Sequence, residues 1–557
     1  MKKLINDPRD VVREMLEGLV QVSPGLALLE GETVVMRADL PSDPASRPVA
    51  ILSGGGSGHE PAHAGYVGPG MLSAAVAGDV FTSPSVDAVH AAIRATAGPE
   101  GAVLIVKNYT GDRLNFGLAA ELARQNGIPV EIVVVADDVA LRDTVTRDRR
   151  RGIAGTVLVH KIAGAAAGRG HPLAMVAALA RRAADRVGTM GVGLGSCIVP
   201  SAGVPSFQLG DDEIEFGLGI HGEKGVRRTA MSSADAIVKA MLEPLLDEMK
   251  PGKGEGVALL VNGLGATTPM ELAIVTRAAL GELASRGLVV SRAWTGALMT
   301  ALEMPGCSIS LLPLDDELTG LLDDPTQAMA WPGPGKVAAA PRVVAAPPVQ
   351  KEPEGDAVDG PLSQTMRRVV DHVADALQKA ERHLTELDSR AGDGDLGASM
   401  ARGAAALRTL PVSSFASPAS LLSAIGETLR RVIAGSSGPF YATALLRASK
   451  SLSGIGTPDE RQWRAAFATG AAAIGELGGG KAGDRTMLDA LIPASEAWLD
   501  GSWPEAVRAA EAGALRTADM YPRLGRASYL GDRAIGVPDG GAVAVAIWMA
   551  AISEALG

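Results

Sequence analysis

Two histidines of this sequence lie among glycines, where an imidazole ring is accessible to a ligand. His59 follows the glycine-rich segment 53–58, and His221 stands between Ile220 and Gly222. Glycines after a strand allow backbone N–H groups to close on a polar ligand, and such ligands bind at the carboxyl edge of an α/β sheet. The dinucleotide-binding pattern Gly-x-Gly-x-x-Gly fails at 54–59 because His59 occupies its last position. A turn without chemistry, or an ordinary packed or surface histidine, is the alternative for these segments.

A second group of polar residues ends a predicted strand. Residues 107–112 read Lys-Asn-Tyr-Thr-Gly-Asp, which places Lys107 and Asp112 after an apolar run. The turn 78–84, which contains Ser83, is a further polar segment. Polar groups bunched at the carboxyl end of a strand are typical of a ligand site. A helix N-cap is the alternative role for Asp112.

Three aspartates, Asp388, Asp393 and Asp395, crowd a third segment. Carboxylates this close repel each other, so we expect a divalent cation to neutralise them. The calcium-loop pattern fails because position 12, counted from Asp393, is Ala404 instead of Glu. Ligands that are all oxygen favour a magnesium ion that holds substrate phosphates. A capped acidic turn is the alternative.

Other turns in the same half of the chain are suited to phosphate. They are 434–439, 482–487 and the segment 525–528, which runs on to 537–541. No Gly-x-x-x-x-Gly-Lys-Ser/Thr sequence occurs, which excludes a P-loop. Beside the aspartates, we expect helix N-termini and one arginine to converge on a metal-bound polyphosphate.

These segments belong to two predicted domains. Residues 1–331 are expected to form an α/β domain, because β-branched runs at 33–36, 49–52, 102–106, 131–135, 257–261 and 309–312 alternate with helical patterns such as 85–97 and 269–284. Seven prolines between Trp331 and Pro361 predict a semi-rigid linker over 332–361. Apolar residues spaced by three and four from 366 to 387 predict one long amphipathic helix. Residues 362–557 are predicted to be all-α, with further helices around 419–433, 440–452, 460–477, 485–499, 504–519 and 541–555.

The composition excludes several classes of protein. The 557 residues carry 52 Lys and Arg against 63 Asp and Glu, a net charge of −11, with 68 Gly, 2 Cys, 3% aromatic and 47% apolar residues. This apolar content excludes disorder, and two cysteines exclude a disulfide scaffold. The acidic balance with few aromatics argues against a nucleic-acid surface. Since no apolar run is long enough to span a membrane and the start lacks a secretory signal, we expect a cytoplasmic protein that binds neither nucleic acid nor membrane.

The motifs, taken in order, resemble those of the ATP-dependent dihydroxyacetone kinases. These are single chains in which a ketose-binding α/β domain is joined to an all-helical nucleotide domain, a helical barrel or bundle. The resemblance covers essentially the whole chain. It rests on Gly-Gly-Gly-Ser-Gly-His-Glu-Pro at 54–61, Lys-Asn-Tyr-Thr-Gly-Asp at 107–112, Arg-Gly-Ile-Ala-Gly-Thr-Val-Leu-Val-His-Lys at 151–161, Gly-Ile-His-Gly-Glu at 219–223, Gly-Asp-Gly-Asp at 392–395, Gly-Asp-Arg-Thr-Met at 483–487 and Gly-Arg-Ala-Ser-Tyr-Leu-Gly at 525–531.

The resemblance implies roles for residues of the first domain. His221 matches the histidine that adds to the substrate carbonyl as a hemiaminal, a bond that glycerol cannot form because it has no carbonyl. Asp112 matches the base that takes the proton of the attacking primary hydroxyl. His59 and Lys107 are expected to hydrogen-bond and polarise the substrate. The pocket is expected to be lined by Gly56, Ser57, Gly58 and Ser83.

For the second domain the resemblance implies that Asp388, Asp393 and Asp395 bind magnesium. The residues expected to hold ATP are Leu396, Gly397, Ala398, Ser399, Ser436, Ser437, Gly478, Met487, Arg526, Asp539, Gly540 and Gly541. Two positions depart from the family pattern. The family's Asp-Pro-Gly reads Asp-Gly-Gly at 539–541, which we expect to loosen the adenosine side. Leu396 stands where some relatives have a polar residue, so only its backbone is available to a phosphate.

The expected reaction is the ATP-dependent phosphorylation of dihydroxyacetone to dihydroxyacetone phosphate. ATP and Mg²⁺ are the expected cofactors, and the family suggests a homodimer. Another short ketose such as erythrulose is an alternative, because the motifs contact the hydroxyketone unit that these substrates share. A non-catalytic ligand-sensing homologue is a further alternative, although His221, Asp112 and the three aspartates argue against it. Phosphoenolpyruvate-dependent relatives fit less well, because they divide the two domains between separate chains.

Overall fold

The computed structural model describes residues 2–252, 254–347 and 360–557. The chain divides into two compact units, Met1–Val343 and Val344–Gly557. Residues 348–359 of the predicted linker lie outside the described residues. Near the start of the predicted linker 332–361, Gly333 accepts at its carbonyl from the indole N–H of Trp294 at 2.7 Å. The carbonyl of Gly335 accepts from the amide of Ala293. The first residues of the predicted linker therefore pack on the first unit.

The first unit alternates strands and helices along the chain. Its strands in the described residues are β1 (Leu26–Leu28), β2 (Val34–Arg37), β3 (Ala50–Ser57), β4 (Ala74–Val80), β5 (Ala102–Lys107), β6 (Val130–Val135), β7 (Gly188–Gly193), β8 (Glu213–Phe216), β9 (Arg227–Ala230), β10 (Gly256–Gly263), β11 (Val289–Gly296) and β12 (Gly306–Pro313). Its helices are α1 (Val11–Gln21), α2 (Val86–Thr96), α3 (Thr110–Gln125), α4 (Thr156–Gly168), α5 (Leu173–Arg186), α6 (Ala234–Met249), α7 (Pro269–Ser285) and α8 (Asp316–Asp323).

The first sheet has the strand order β1-β2-β4-β3-β5-β6. Strands β4, β3, β5 and β6 run parallel, and β2 and β1 are added antiparallel to the β4 side. Successive residues of β3 face different cores: Ile51 packs with residues of α4 and α5, and Leu52 with residues of α2 and α3. Because parallel strands end at the same edge, the segments that follow β3, β4 and β5 meet there.

The second sheet has the order β11-β10-β12-β7-β8-β9. Only β10 and β11 pair in parallel within the described residues. Residues of α6 and α7 pack on this sheet, for example Met241 and Leu272 against Leu259 and Ile309. The connection from β8 to β9 carries His221, and the connection from β11 to β12 carries residues 297–305. These two connections supply the second sheet's part of the site described below.

The glycine-rich segment was expected to follow the predicted strand 49–52, but residues 53–57 are themselves part of the strand. Strand β3 continues to Ser57, and all eight of its residues are buried. A Cβ built on Gly54 would lie 2.3 Å from the carbonyl oxygen of Val76, so the missing side chain lets β3 and β4 approach. Glycine weakens an isolated strand, and its role here is set by this tertiary contact. Strands β1, β4, β7, β8, β9 and β11 were not predicted.

The second unit is helical throughout its described residues. Its helices are α9 (Pro361–Lys379), α10 (Glu381–Ala391), α11 (Leu396–Leu407), α12 (Pro418–Val432), α13 (Ser437–Ser451), α14 (Glu460–Gly478), α15 (Leu488–Asp500), α16 (Trp503–Arg516) and α17 (Gly540–Leu556). From α11 to α17 each helix packs on the next, and α9 packs on both α17 and α11, which closes a ring. The ring encloses an apolar cavity of about 560 Å³, lined by residues such as Met366, Leu429 and Trp503.

The helix predicted over 366–387 is two helices that meet at Ala380. The apolar spacing crosses the break without interruption because Met366, Leu377 and Leu384 contribute to the same core. Helix α11, which follows the aspartates, was also missed. Among the described helices, none has both the length and the apolar character needed to cross a membrane.

Candidate active site

Three strand ends of the first sheet bring together most of the residues predicted for the first domain. The segment after β3 supplies His59, the turn after β4 supplies Ser83, and the junction of β5 and α3 supplies Lys107 and Asp112. A Cβ built on Gly56 would lie 2.5 Å from the amide nitrogen of Thr82. The turn after β4 therefore lies directly against the glycine-rich strand, and only glycine permits this approach.

His59 and His221 face each other through their Nε2 atoms, which are 3.1 Å apart. The Nδ1 atom of His59 lies 2.8 Å from the carbonyl oxygen of Thr300, and Nδ1 of His221 lies 2.9 Å from Oε1 of Glu223. A carbonyl and a carboxylate only accept hydrogen bonds, so both Nδ1 atoms carry protons. The two Nε2 atoms can then form a hydrogen bond only if one further proton lies between them. The histidine pair thus shares one exchangeable proton between its two Nε2 atoms.

The surroundings of His59 disfavour a positive charge on its ring. His59 is fully buried, and its burial, followed by the charges of Lys107 and His221, holds its pKa well below the usual value. The side chain of His221 is 22% exposed and is bonded to a carboxylate. Although burial opposes ionisation, hydrogen bonds and the charge of His221 lower the pKa of Glu223 to about 2. The shared proton therefore has a disfavoured position on His59, whereas the His221 ring lies beside the carboxylate of Glu223.

Aromatic rings confine the His221 imidazole. Its ring centroid lies 4.7 Å from that of Tyr109 and 5.0 Å from that of Phe81, both in edge-on geometry. Phe81 also stacks on His59 with centroids 5.1 Å apart and an interplanar angle of 19°. These ring contacts restrict the orientation of both imidazoles.

Lys107 and Asp112 present polar atoms without hydrogen-bond partners among the described residues. Nζ of Lys107 and Oδ1 of Asp112 are both buried in this state. A Cβ built on Gly55 would lie 3.1 Å from the Lys107 nitrogen and 3.7 Å from Oδ2 of Asp112, so both groups border the same space. Buried polar atoms are normally paired, and unpaired ones point to a polar ligand. This arrangement suits a molecule with hydroxyl and carbonyl groups.

Burial shifts the pKa of each group in the direction that favours its neutral form. Desolvation raises the pKa of Asp112, although the charge of Lys107 and a hydrogen bond from Ser83 oppose the rise. Desolvation likewise lowers the pKa of Lys107, against the charges of Asp112, Glu223 and Glu60. A carboxylate with a raised pKa accepts a proton more readily than an exposed one, which suits a general base. The alternative role of Asp112 as an N-cap is wrong, because Tyr109 is the N-cap of α3 and Asp112 lies in the first turn.

The connection from β11 to β12 fixes the position of His59. Besides Thr300, this connection supplies the amide of Leu302, which donates to the carbonyl of Gly58 at 2.7 Å. The connection is itself held by the buried side chain of Asn262, which accepts from the amides of Leu298 and Met299 at 2.8 Å. The site of the first unit therefore depends on both sheets.

The remaining substrate residues predicted for this unit have backbone contacts. The Ser57 hydroxyl donates to the carbonyl of Gly78 at 2.7 Å, and the amide of Gly58 donates to the carboxyl group of Glu60. Ser57 keeps a lone pair for a ligand, whereas the Gly58 amide is already used. Their assignment to substrate binding stays a prediction.

In the second unit the three predicted aspartates lie together. Asp388, Asp393 and Asp395 can each offer a carboxylate oxygen within 4.8 Å of the others. One oxygen of Asp388 accepts from the amide of Leu396 at 3.1 Å, which fixes it at the start of α11. Arg526 forms ion pairs with Asp393 and, at 3.9 Å, with Asp395. An all-oxygen donor set of this kind fits Mg²⁺.

Helix starts surround this cluster. The predicted nucleotide residues Leu396 to Ser399 form the first turn of α11, Ser436 and Ser437 start α13, Met487 precedes α15, and Asp539 to Gly541 start α17. A helix N-terminus presents free N–H groups and a positive partial charge to a phosphate. Cβ atoms built on Gly540 and Gly541 would contact Leu396 and Met487, which shows that three of these starts are neighbours. The arrangement can bind a polyphosphate.

Three predicted nucleotide residues have other contacts. A Cβ on Gly397 would lie 2.1 Å from the carbonyl oxygen of Glu381, so this glycine permits close packing of α11 on α10. The Ser399 hydroxyl accepts from Arg402 at 2.9 Å. Gly478 ends α14 against the ring of Phe440. For these three residues, contacts within the chain explain the residue type without a ligand.

Glu223 and Arg485, which were given no individual role from the sequence, make specific contacts in the two sites. Glu223 was part of a quoted motif and binds His221. Arg485, in the Gly-Asp-Arg-Thr-Met motif, is fully buried, and its guanidinium donates to the carbonyls of Thr517, Ala534 and Val537. It thereby anchors the segment that leads to Asp539, a buried carboxyl whose pKa desolvation raises to about 6. Both are charged residues inside motifs of the sequence, and this was the signal by which they could have been found.

Comparisons with known proteins agree with this architecture. Residues 17–330 match the Dak1 domain and residues 390–554 match the DAK2 domain. The chain is 44% identical to triokinase/FMN cyclase of Homo sapiens over 577 residues, which covers 100% of this chain and 99% of the human one. It is 39% identical to dihydroxyacetone kinase of Citrobacter freundii over 570 residues, 99% and 98% of the two chains, and 34% identical to D-erythrulose kinase of Mycolicibacterium smegmatis, 100% and 98%.

A solved structure extends the likeness to three dimensions. The crystal structure of the dihydroxyacetone kinase from C. freundii in complex with AMP-PNP and Mg²⁺ matches with a TM-score of 0.65 and 37% identity over 99% of both chains. The chain therefore belongs to the dihydroxyacetone kinase family, a class of ATP-dependent phosphotransferases that act on ketoses. The predicted family, enzyme class and fold class, an α/β domain followed by an all-α domain, are confirmed.

Proposed function

We propose that this protein transfers the γ-phosphoryl group of ATP to a primary hydroxyl of dihydroxyacetone, which the first unit holds as a hemiaminal on His221. The observation that carries the proposal is that the two histidines face each other at 3.1 Å beside Lys107 Nζ and Asp112 Oδ1, two atoms with no hydrogen-bond partner among the described residues. A nucleophilic nitrogen, a proton, a cation and a base are thus present at one sheet edge. A hydroxyketone has a matching group for each.

The histidine pair supplies the proton that the adduct needs. The proton moves from Nε2 of His221 to Nε2 of His59, which frees a lone pair on His221. That lone pair forms the C–N bond, the electrons of the carbonyl π bond move to oxygen, and His59 returns the proton to that oxygen. The product is a neutral hydroxyl on a cationic, alkylated imidazole, so the total charge is unchanged.

Asp112 then acts as the base for phosphoryl transfer. Its carboxylate accepts the proton of the primary hydroxyl as that oxygen attacks phosphorus, and the raised pKa makes this acceptance easier. Lys107 polarises the bound substrate. Transfer of this type depends mainly on alignment and charge neutralisation.

The second unit is proposed to hold the nucleotide. Asp388, Asp393 and Asp395 would bind Mg²⁺, which neutralises phosphate charge when bound. Arg526, now paired with Asp393, is the cation available to a phosphate oxygen. The starts of α11, α13, α15 and α17 would supply N–H donors to the phosphates.

The proposal also concerns which ketose is the substrate. Relatives of this chain bear the names D-erythrulose kinase and putative 3,4-dihydroxy-2-butanone kinase, the latter from Solanum lycopersicum at 44% identity. We propose dihydroxyacetone as the substrate, with a four-carbon ketose as the alternative. The chain is further proposed to act as a homodimer in the cytoplasm, which light scattering of the purified protein and cell fractionation would test.

The test is ATP consumption with Mg²⁺ and each of dihydroxyacetone, the two erythrulose enantiomers and glycerol. We expect the largest kcat/KM for dihydroxyacetone and no turnover of glycerol. A large preference for one erythrulose enantiomer would replace dihydroxyacetone as the substrate. Absence of turnover with every ketose would favour a ligand-sensing protein instead.

Carbon-13 spectra of dihydroxyacetone labelled at the carbonyl test the adduct separately. We expect the ketone resonance to be replaced by one of a tetrahedral carbon when the protein is in excess. Turnover without this signal would contradict the hemiaminal and leave the kinase assignment intact.

A further inference from the structure

The carboxylate of Glu223 makes two hydrogen bonds to one residue. Oε1 accepts from Nδ1 of His221 and Oε2 accepts from the backbone amide of His221, each at 2.9 Å. We propose that Glu223 is the positioning residue that sets the reactive tautomer of His221 and balances the charge of the adduct. This inference rests on the proposed function, because it assumes that His221 is the nucleophile.

The two bonds go to two different oxygens, and at this position only a carboxylate offers two acceptor oxygens. Both partners on His221 are N–H donors, and an ionised carboxylate has an acceptor oxygen for each. A glutamine has one oxygen and one NH₂ group. If its oxygen stays with the backbone amide, its NH₂ donates to Nδ1, and the ring proton must then sit on Nε2. That is the nitrogen required to attack, so the glutamine variant holds the unreactive tautomer.

The surrounding loop is built to keep the carboxylate in this place. A Cβ on Gly219 would lie 2.0 Å from Oε2 of Glu223, so any side chain there would displace the carboxylate. Gly222, between His221 and Glu223, has φ +79°, a conformation that favours glycine. Arg151, bonded to Asp138, donates to the carbonyl of Gly217 at 2.7 Å and holds the start of the loop.

The charge balance gives Glu223 a second task. In the adduct, Nε2 of His221 is bonded to carbon and Nδ1 keeps its proton, so the ring carries a positive charge that cannot leave as a proton from Nε2. The carboxylate, 2.9 Å from Nδ1, compensates this charge. Its low pKa, about 2, keeps it ionised in neutral solution. Formation of the adduct therefore creates no unbalanced charge.

The experiment compares Glu223→Gln with Glu215→Gln in the full-length protein. Glu215 is a matched control, because it is a buried carboxylate of strand β8, just before the same loop, and accepts from the amide of Gly225 and from Arg228. It makes none of the His221 hydrogen bonds described here. Three quantities are measured: kcat/KM for dihydroxyacetone, the fraction of labelled carbonyl carbon converted to the tetrahedral form, and the tautomer of His221 from long-range ¹H–¹⁵N spectra.

We expect Glu223→Gln to lower kcat/KM by roughly 10²- to 10⁴-fold, the upper end being the cost of an aspartate-to-asparagine change that misplaces the proton of a catalytic histidine. The tetrahedral carbon signal should be lost, and the neutral His221 ring should carry its proton on Nε2. Glu215→Gln should retain both the adduct and the Nδ1–H tautomer. If the two variants lose adduct and activity equally, the carboxylates serve only the loop and the inference is overturned.

The wild-type protein keeps the inference testable even if the glutamine variant does not fold. At a pH at which the wild-type His221 ring carries a single proton, that proton should be on Nδ1, and a ring protonated on Nε2 alone would overturn the inference. If wild type forms no tetrahedral carbon, the hemiaminal of the proposed function fails, whatever the tautomer. If wild type and Glu223→Gln both form it equally well, Glu223 has no positioning role and the proposed function stands.

Discussion

Leu396 and Gly540, the two positions at which the sequence departs from the family pattern, are in contact. A Cβ built on Gly540 would lie 2.7 Å from Cδ2 of Leu396, closer than real carbon atoms approach. Gly540 is the first residue of α17, where proline is otherwise favoured, and Asp539 before it has an extended conformation that tolerates proline. A side chain at position 540 would therefore require the end of the Leu396 side chain to shift, which couples the two departures.

A proline at position 540 should consequently be destabilising only while Leu396 is present. We expect Gly540→Pro to destabilise the helical unit by about 1–3 kcal/mol through overpacking. Combined with Leu396→Ala, the double variant should be more stable than the sum of the single effects by at least about 1 kcal/mol. The measurement is calorimetry of the transition that MgATP shifts upward. Strict additivity of the two changes would show that the contact is not the cause.

The two catalytic groups of the first unit should fail in different ways. His221→Ala removes the nucleophile and should weaken ketose binding and the discrimination against glycerol. Asp112→Asn keeps the shape of the site but removes the base, so it should lower kcat by roughly 10²- to 10⁴-fold with a small change in KM. Steady-state kinetics with both substrates separates these effects. Equal and mild losses in both variants would contradict the assigned roles.

The raised pKa of Asp112 predicts the acid side of the pH profile. A base works when ionised, so kcat/KM should be full above the Asp112 pKa and fall as the pH drops through it. Because burial raises this pKa, the fall should begin at a higher pH than for an exposed aspartate. Lys107→Met removes a charge that lowers the Asp112 pKa and should move the acid limb to still higher pH. The exposed Lys239→Met is the control and should leave the limb in place.

The three aspartates predict a division of labour between the units. Asp393→Asn should abolish phosphoryl transfer and weaken MgATP binding, while the tetrahedral carbon signal of bound ketose persists. Chelation of Mg²⁺ in wild type should have the same two results. Asp371→Asn, an exposed aspartate on α9, is the matched control and should behave as wild type. Loss of the ketose signal in Asp393→Asn would contradict this division.

Strands and helices were predicted correctly from the sequence where the spacing of apolar residues matches the face that the element buries in the core. Buried runs such as 102–106 and amphipathic helices such as 460–477 were located closely. The break at Ala380 was invisible because both helices bury the same face. Strand β7 was missed because its glycines have no strand preference, and β12 and β8 pair with it only in the folded chain.

Residue types and motifs identified the candidate site better than they described its contacts. His59, His221, Lys107 and Asp112 were named from glycine-rich and polar segments, and the structure brings them to one sheet edge. Their hydrogen bonds were not predictable, because the partner of His59 is a backbone carbonyl of Thr300, 241 positions away. A carbonyl leaves no trace in residue type. The two hydrogen bonds between Glu223 and His221 depend on the backbone conformation of the turn, which the sequence does not reveal.

The carbonyl of Thr300 and the ring of His59 belong to connections of different sheets. Leu302 and Gly58 add a backbone bond between the same connections. Any separation of these connections would misorient the imidazole before either sheet unfolded, so catalytic competence should be lost earlier on heating than secondary structure. In the other direction, a ketose attached to His221 should slow amide exchange with solvent in 54–58 and 298–302 together. The bound substrate would thus stabilise the contact between the two sheets.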